Sequence, residues 1–184
     1  ARMAEGRFAE MDVNHAVGFQ AMLPVAIPQL PLVTPEHAEA MPSKYRGVAR
    51  QFDDAIERLR QGLANGRAPM SSTAAKAVSQ VDGYLSVPFD SDPLLALRAP
   101  QDWDGESAWR ESMVDVARDT VRPALQRWRD FVTDEVIPSG RSEEEPGLSY
   151  LPDGEDLYSR TIFRYTTLDM DPETVHQVGL DQVA

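Results

Sequence analysis

Tyr158, Arg164, Tyr165, Thr166 and Thr167 lie within ten positions of one another, at the end of one helical pattern and just before the next. Phenol hydroxyls, a guanidinium and two aliphatic hydroxyls at that density could line a polar pocket that recognises a substrate without reacting with it. Packed tyrosines and helix-capping threonines would use the same residues, and the sequence leaves both readings open. Other chemistry is scarce. The three histidines, His15, His37 and His176, have no second histidine at metal-ligand spacing, and no H-E-x-x-H occurs. That motif would put two imidazoles on one helical face. No G-x-S-x-G, G-x-G-x-x-G or G-x-x-x-x-G-K-[ST] is present. Ser139 and Ser149 lack a recognisable base. Asp102 with Asp104, and the run Glu143 to Glu145, offer oxygen ligands but not the spacing of a calcium loop. No catalytic residue and no metal ligand is assigned within the chain.

Composition narrows the class. Eighteen basic against thirty acidic side chains give a net charge of −12. This argues against a phosphate-binding surface and against adhesion to anionic lipid. There is no cysteine, so disulfides, thiolate metal sites and cysteine nucleophiles are excluded. No apolar run is long enough to span a bilayer. A cytoplasmic and an exported location both remain open.

The elements that would position these residues are helical throughout. The expected fold is all-α: elongated helices packed antiparallel as an irregular bundle within a single domain, residues 1–184. Ala1 to Met11 reads as the tail of a helix. Asn14 to Val33, with Pro24, Pro28 and Pro31, reads as a short helix and an extended connection. Thr34-Pro35-Glu36 starts a short helix ended by Pro42, after which Ser43 can cap the next. Tyr45, Val48, Phe52, Ile56, Leu59 and Leu63 mark an amphipathic helix stopped at Asn65-Gly66. Ser71 to Thr73 cap another, buried through Ala74, Ala77, Val78, Val81 and Leu85. Val87 to Gln101 is a proline-rich loop. From Gly105 to Ile137 runs the longest stripe: Trp109, Met113, Ala117, Val121, Leu125, Trp128, Val132 and Val136. Pro123 inside it predicts one helix kinked near Thr120. Residues 138–146 are the expected mobile loop. Leu148, Tyr150 and Leu151 need burial. A helix from Glu155 to about Tyr165 and a last one from Asp171-Pro172-Glu173 complete the pattern, the latter buried through Val175, Val178 and Val183. The final pattern stops without a cap at Ala184 and the chain opens on Ala1-Arg2-Met3. Both predict a piece of a larger protein.

Several stretches resemble the bacterial family known as domain of unknown function 885. They are P-G-L-S-Y-L-P-D-G-E-D-L-Y from Pro146, Y-T-T-L-D-M-D-P-E-T-V-H-Q-V-G-L-D-Q-V from Tyr165, N-H-A-V-G-F-Q-A-M-L-P from Asn14, T-P-E-H-A-E-A from Thr34 and I-E-R-L-R-Q-G-L-A-N-G from Ile56. The resemblance implies a largely helical protein of several hundred residues that looks like a zinc metallopeptidase. Its H-E-x-x-H helix would lie carboxy-terminal to this segment, with zinc activating water there. No zinc ligand carries over to this chain. Where the family more often has histidine before the paired threonines, Tyr165 stands here. The residues implied to face a shared cleft are Thr166, Thr167, Asp169 and His176, beside Tyr158, Arg164 and Tyr165. The expected function is a non-catalytic helical wall of the substrate cleft of a zinc-dependent peptidase or amide hydrolase. Its partners would be the remainder of its own polypeptide and a peptide substrate. The rival is a non-enzymatic helical module that binds a partner through exposed apolar surfaces. A third reading is a metal-independent enzyme built around Tyr158, Arg164 and His176.

Overall fold

The computed structural model describes residues 8–183. It is all-α, and no strand forms among the described residues. The helices are α1 (Phe19–Ala26), α2 (Pro35–Glu39), α3 (Met41–Ala64), α4 (Ser71–Ser86), α5 (Glu106–Val116), α6 (Arg122–Phe131), α7 (Ile137–Ser139), α8 (Gly154–Thr166) and α9 (Pro172–Val183). The predicted amino-terminal helix falls mainly outside the described residues, which begin with a single tight turn at Phe8–Glu10.

The core is one cluster. Tyr45, Phe52 and Leu59 of α3 and Ala74, Ala77, Val78 and Val81 of α4 belong to it, and the α5–α7 rod packs against both helices. Phe19, Phe52 and Trp128 form a chain of tilted and edge-on rings with centroids 5.0 and 6.2 Å apart. Such pairs add directional attraction to the area they bury. Helix α3 ends as the sequence indicates. Gly66 takes φ +72°, and the Arg67 amide reaches back to the Gly62 carbonyl at 2.8 Å. That is the closure a left-handed glycine permits. Its start differs from expectation. Pro42 lies in the first turn of α3 rather than ahead of it, where a proline removes no needed hydrogen bond, and Ser43 is already inside the helix. Thr34 makes no side-chain cap to α2 either.

The rod has an unusual construction. Two π-helical turns, Ala117–Val121 and Val132–Val136, separate α5, α6 and α7. In each, an amide reaches five residues back: Arg122 N–H to the Ala117 carbonyl and Ile137 N–H to the Val132 carbonyl. A proline follows directly in both cases, Pro123 and Pro138. A proline ring collides with the carbonyl four residues earlier and cannot bond it. The wider turn moves that carbonyl away, so the helix continues through the proline rather than breaking there.

The π turns also keep the buried stripe in phase. From Trp109 to Val136 a regular helix would make about seven and a half turns, leaving the two ends on opposite sides. Each π turn absorbs one residue, about 100° of rotation. Two of them bring Trp109, Met113, Ala117, Val121, Leu125, Trp128, Val132 and Val136 back onto a single buried face.

Residues 138–146 are stitched to the bundle by one side chain. Arg141 donates to the carbonyls of Ala68, Glu145 and Gly147 at 2.7–2.9 Å, and its backbone pairs with Pro69 and Ser71. Helix α9 departs from expectation. None of its residues is buried, and Val178 and Val183 are 49% and 83% exposed. Tyr150 is likewise exposed, while Leu151 is buried.

Candidate functional site

The chemistry-bearing residues at the carboxy end do not converge on one pocket. Tyr165 is 79% exposed, with the Arg164 guanidinium over its ring at 5.8 Å. Thr166 Oγ1 donates to the Ile162 carbonyl at 2.8 Å and accepts from the Leu168 amide at 3.1 Å. Thr167 adopts φ +61°, and its amide closes on the Phe163 carbonyl at 2.8 Å. The paired threonines therefore terminate α8, with a β-branched residue held in the left-handed position that glycine usually fills. Asp169 and His176 are solvent-exposed. Asp171 caps α9: its carboxylate accepts from the Thr174 amide at 2.9 Å and the Thr174 hydroxyl at 2.7 Å. Those bonds hold its pKa below the ordinary carboxylate value.

Tyr158 lines a cavity. This recess of about 500 Å³ lies between the turn at Leu148–Tyr150, the start of α8 and Pro172 at the start of α9. Leu148 and Pro172 supply apolar walls, and Ser149, Glu155, Tyr158 and Ser159 supply oxygens. Apart from Pro172, its lining residues fall between Gly147 and Ser159. Gly154 is required there, because a Cβ at that position would lie 1.9 Å from the Leu148 carbonyl oxygen. The preceding Asp153, at φ +57°, turns the chain into α8. Its carboxylate pairs with Arg67 at 3.2 Å, and Arg67 also reaches Glu10 at 3.5 Å. This ties the recess to the end of α3.

A second polar group is buried in the bundle and was not singled out from the sequence. The Asp92 side chain is 0% exposed. It accepts from Arg122 at 2.9 Å, from the Tyr84 hydroxyl at 2.8 and 2.9 Å, and from the Leu94 amide at 2.9 Å. Arg122 continues to the carbonyls of Leu85 and Val87 and lies over the rings of Tyr84 and Phe89. The Tyr45 hydroxyl donates to the Leu94 carbonyl at 2.6 Å. Burial first, and then the Asp92 carboxylate, push both phenols well above their usual pKa. They remain donors at any ordinary pH. Both oxygens of Asp92 and both phenol hydroxyls are bonded within the protein, so the group acts as a clasp fastening residues 87–97 to α3, α4 and α6. The cue was present in the sequence: Asp92-Pro93 repeats the cap-and-proline pattern of Asp171-Pro172.

The three histidines sit on different elements: His15 before α1, His37 in α2 and His176 in α9. Among the described residues no three His, Cys, Asp or Glu come together to hold a metal ion. The residues present do not fit a zinc centre, and no step through zinc is assigned to them. No described helix is long and apolar enough to cross a membrane.

No curated protein matches the chain in sequence. In structure it is similar to a crystal structure described as "the putative lipoprotein from Colwellia psychrerythraea". The TM-score is 0.81 at 19% sequence identity, covering 94% of this chain and 30% of that one. The likeness is one of fold, and this chain spans under a third of that protein's length. The match to the family described as "Bacterial protein of unknown function (DUF885)" runs over residues 1–184. With the whole sequence matched, the chain is a member of the DUF885 family.

Proposed function

We propose that this chain is the non-catalytic helical portion of a zinc-dependent peptidase or amide hydrolase. It forms part of the substrate-cleft wall and docks the remaining polypeptide through exposed apolar side chains on and between α8 and α9. The observation that carries this reading is their exposure. Tyr165, Leu168, Val178, Leu180 and Val183 all point large apolar side chains into solvent. Exposed apolar groups of this kind mark a surface that another element covers; a second set, Val17, Met22, Val25, Leu30 and Val33, is exposed in and around α1. The fold likeness is consistent with it, since the comparable unit makes up 30% of a longer chain. Zinc, on this reading, is held by residues outside this chain.

The test uses the full-length gene product on a mixed peptide library, with and without a zinc chelator. Hydrolysis is expected, and chelation is expected to lower its rate by at least two orders of magnitude. Hydrolysis that survives chelation would overturn the zinc assignment. No hydrolysis in either buffer would overturn the hydrolase reading and favour a partner-binding module.

A further inference from the structure

The recess beside α8 has a lining that selects for charge. Four of the residues that line it carry side-chain oxygens: Ser149, Glu155, Tyr158 and Ser159. No basic side chain lines it. Glu155 makes no ion pair among the described residues, and the Tyr158 hydroxyl has no protein partner among them. The Ser159 hydroxyl has spent its proton on the Glu155 carbonyl at 3.1 Å, so only acceptor lone pairs remain to it. Leu148 and Pro172 form the apolar part of the wall.

We infer that this recess binds a primary ammonium group of a peptide, with Glu155 as counter-charge and the adjoining apolar side chain against Leu148 and Pro172. The inference rests on the peptide-cleft reading above and adds to it a subsite and its chemistry. An ammonium offers three donors and no acceptor, the complement of one carboxylate and three hydroxyl oxygens. The opposite choice, an anion, is disfavoured. The amino end of α8 carries a partial positive charge, but Glu155 in its first turn already answers it. The net charge of −12 further enriches cations near the surface.

The ammonium can belong to a peptide's amino end or to a lysine side chain. Binding to the full-length gene product, measured by calorimetry, separates the sources through three probes: Leu-Ala-Ala, N-acetyl-Leu-Ala-Ala and N-acetyl-Lys-Ala-Ala. Leu-Ala-Ala or the lysine peptide should bind at least ten-fold more tightly than the fully blocked N-acetyl-Leu-Ala-Ala, whichever binds naming the source. Glu155→Gln should remove that preference, and Tyr158→Phe should weaken it several-fold. Equal binding of all three probes, absence of binding, or an unchanged preference in Glu155→Gln would each overturn the inference. The wild-type comparison needs no variant. With the zinc chelator present, binding is read without turnover, so its failure is distinct from a failure of hydrolysis.

Discussion

Deleting Gln126 is expected to abolish folding, whereas deleting Asp119 together with Pro123→Ala is expected to leave a folded protein. Gln126 lies in the regular turns of α6. Its loss rotates everything beyond it by about 100°. Arg129 then takes the place of Trp128 against Phe52, and Thr133 takes the place of Val132. Losing the burial of Trp128 alone costs about 3–5 kcal/mol. Forcing a guanidinium into its site costs several kcal/mol more. Together these reach the roughly 5–15 kcal/mol that holds a typical domain together. Asp119 is different because it lies in the π turn Ala117–Val121. Removing it turns the π turn into an ordinary one and leaves Val121, Leu125 and Trp128 at their original bearings. Pro123→Ala removes the ring that the wider turn accommodates. Thermal melts followed by far-ultraviolet circular dichroism separate the two outcomes. A cooperative transition in the Gln126 deletion, or none in the Asp119 deletion, would contradict the role given to the π turns.

Asp92→Ala is expected to lower stability by about 3–5 kcal/mol, the range for removing one partner of a buried ion pair. The change strands the Arg122 guanidinium, the Tyr84 hydroxyl and the Leu94 amide at once. For a chain of this size each kcal/mol moves Tm by about 2–4 °C, so a fall on the order of 10 °C is the readout. Asp92→Asn keeps an acceptor for Leu94 and should cost less. The double change Asp92→Leu with Arg122→Met should also cost less than Asp92→Ala, since it leaves no buried charge unpaired. A Tm for Asp92→Ala within 2 °C of wild type, on the order of 1 kcal/mol or less, would show that Arg122 finds water instead.

The core was legible in the sequence wherever helical spacing and burial coincide. Tyr45 to Leu63, Ala74 to Val81 and Trp109 to Val136 all face inward as their periodicity indicates. The π turns were not legible as such. Pro123 signals a distortion of the helix, but a stripe stepping by four reveals wider turns only when the accumulated rotation is counted. Helix α9 shows the opposite limit. Val175, Val178 and Val183 have the spacing of a buried face, yet periodicity says only that a face is apolar, not what covers it. At the candidate site, the threonine pair and Tyr165 owe their density to the end of a helix. The recess, by contrast, depends on Gly154 and Asp153 folding Leu148 back over α8, a tertiary closure that residue types alone do not reveal. Tyr158 was found because it belongs to both.

Docking on α8 and α9 is tested most directly by thiol labelling in the full-length gene product. Leu180→Cys is compared with Gly83→Cys, an open position on α4 with no atom within 4 Å of its added Cβ. The native chain has no cysteine here to interfere. If the remaining polypeptide covers α9, the thiol at position 180, only about half covered within this chain, reacts at least ten-fold more slowly than the thiol at position 83. Equal labelling rates at the two positions would mean that nothing docks on α9 at Leu180.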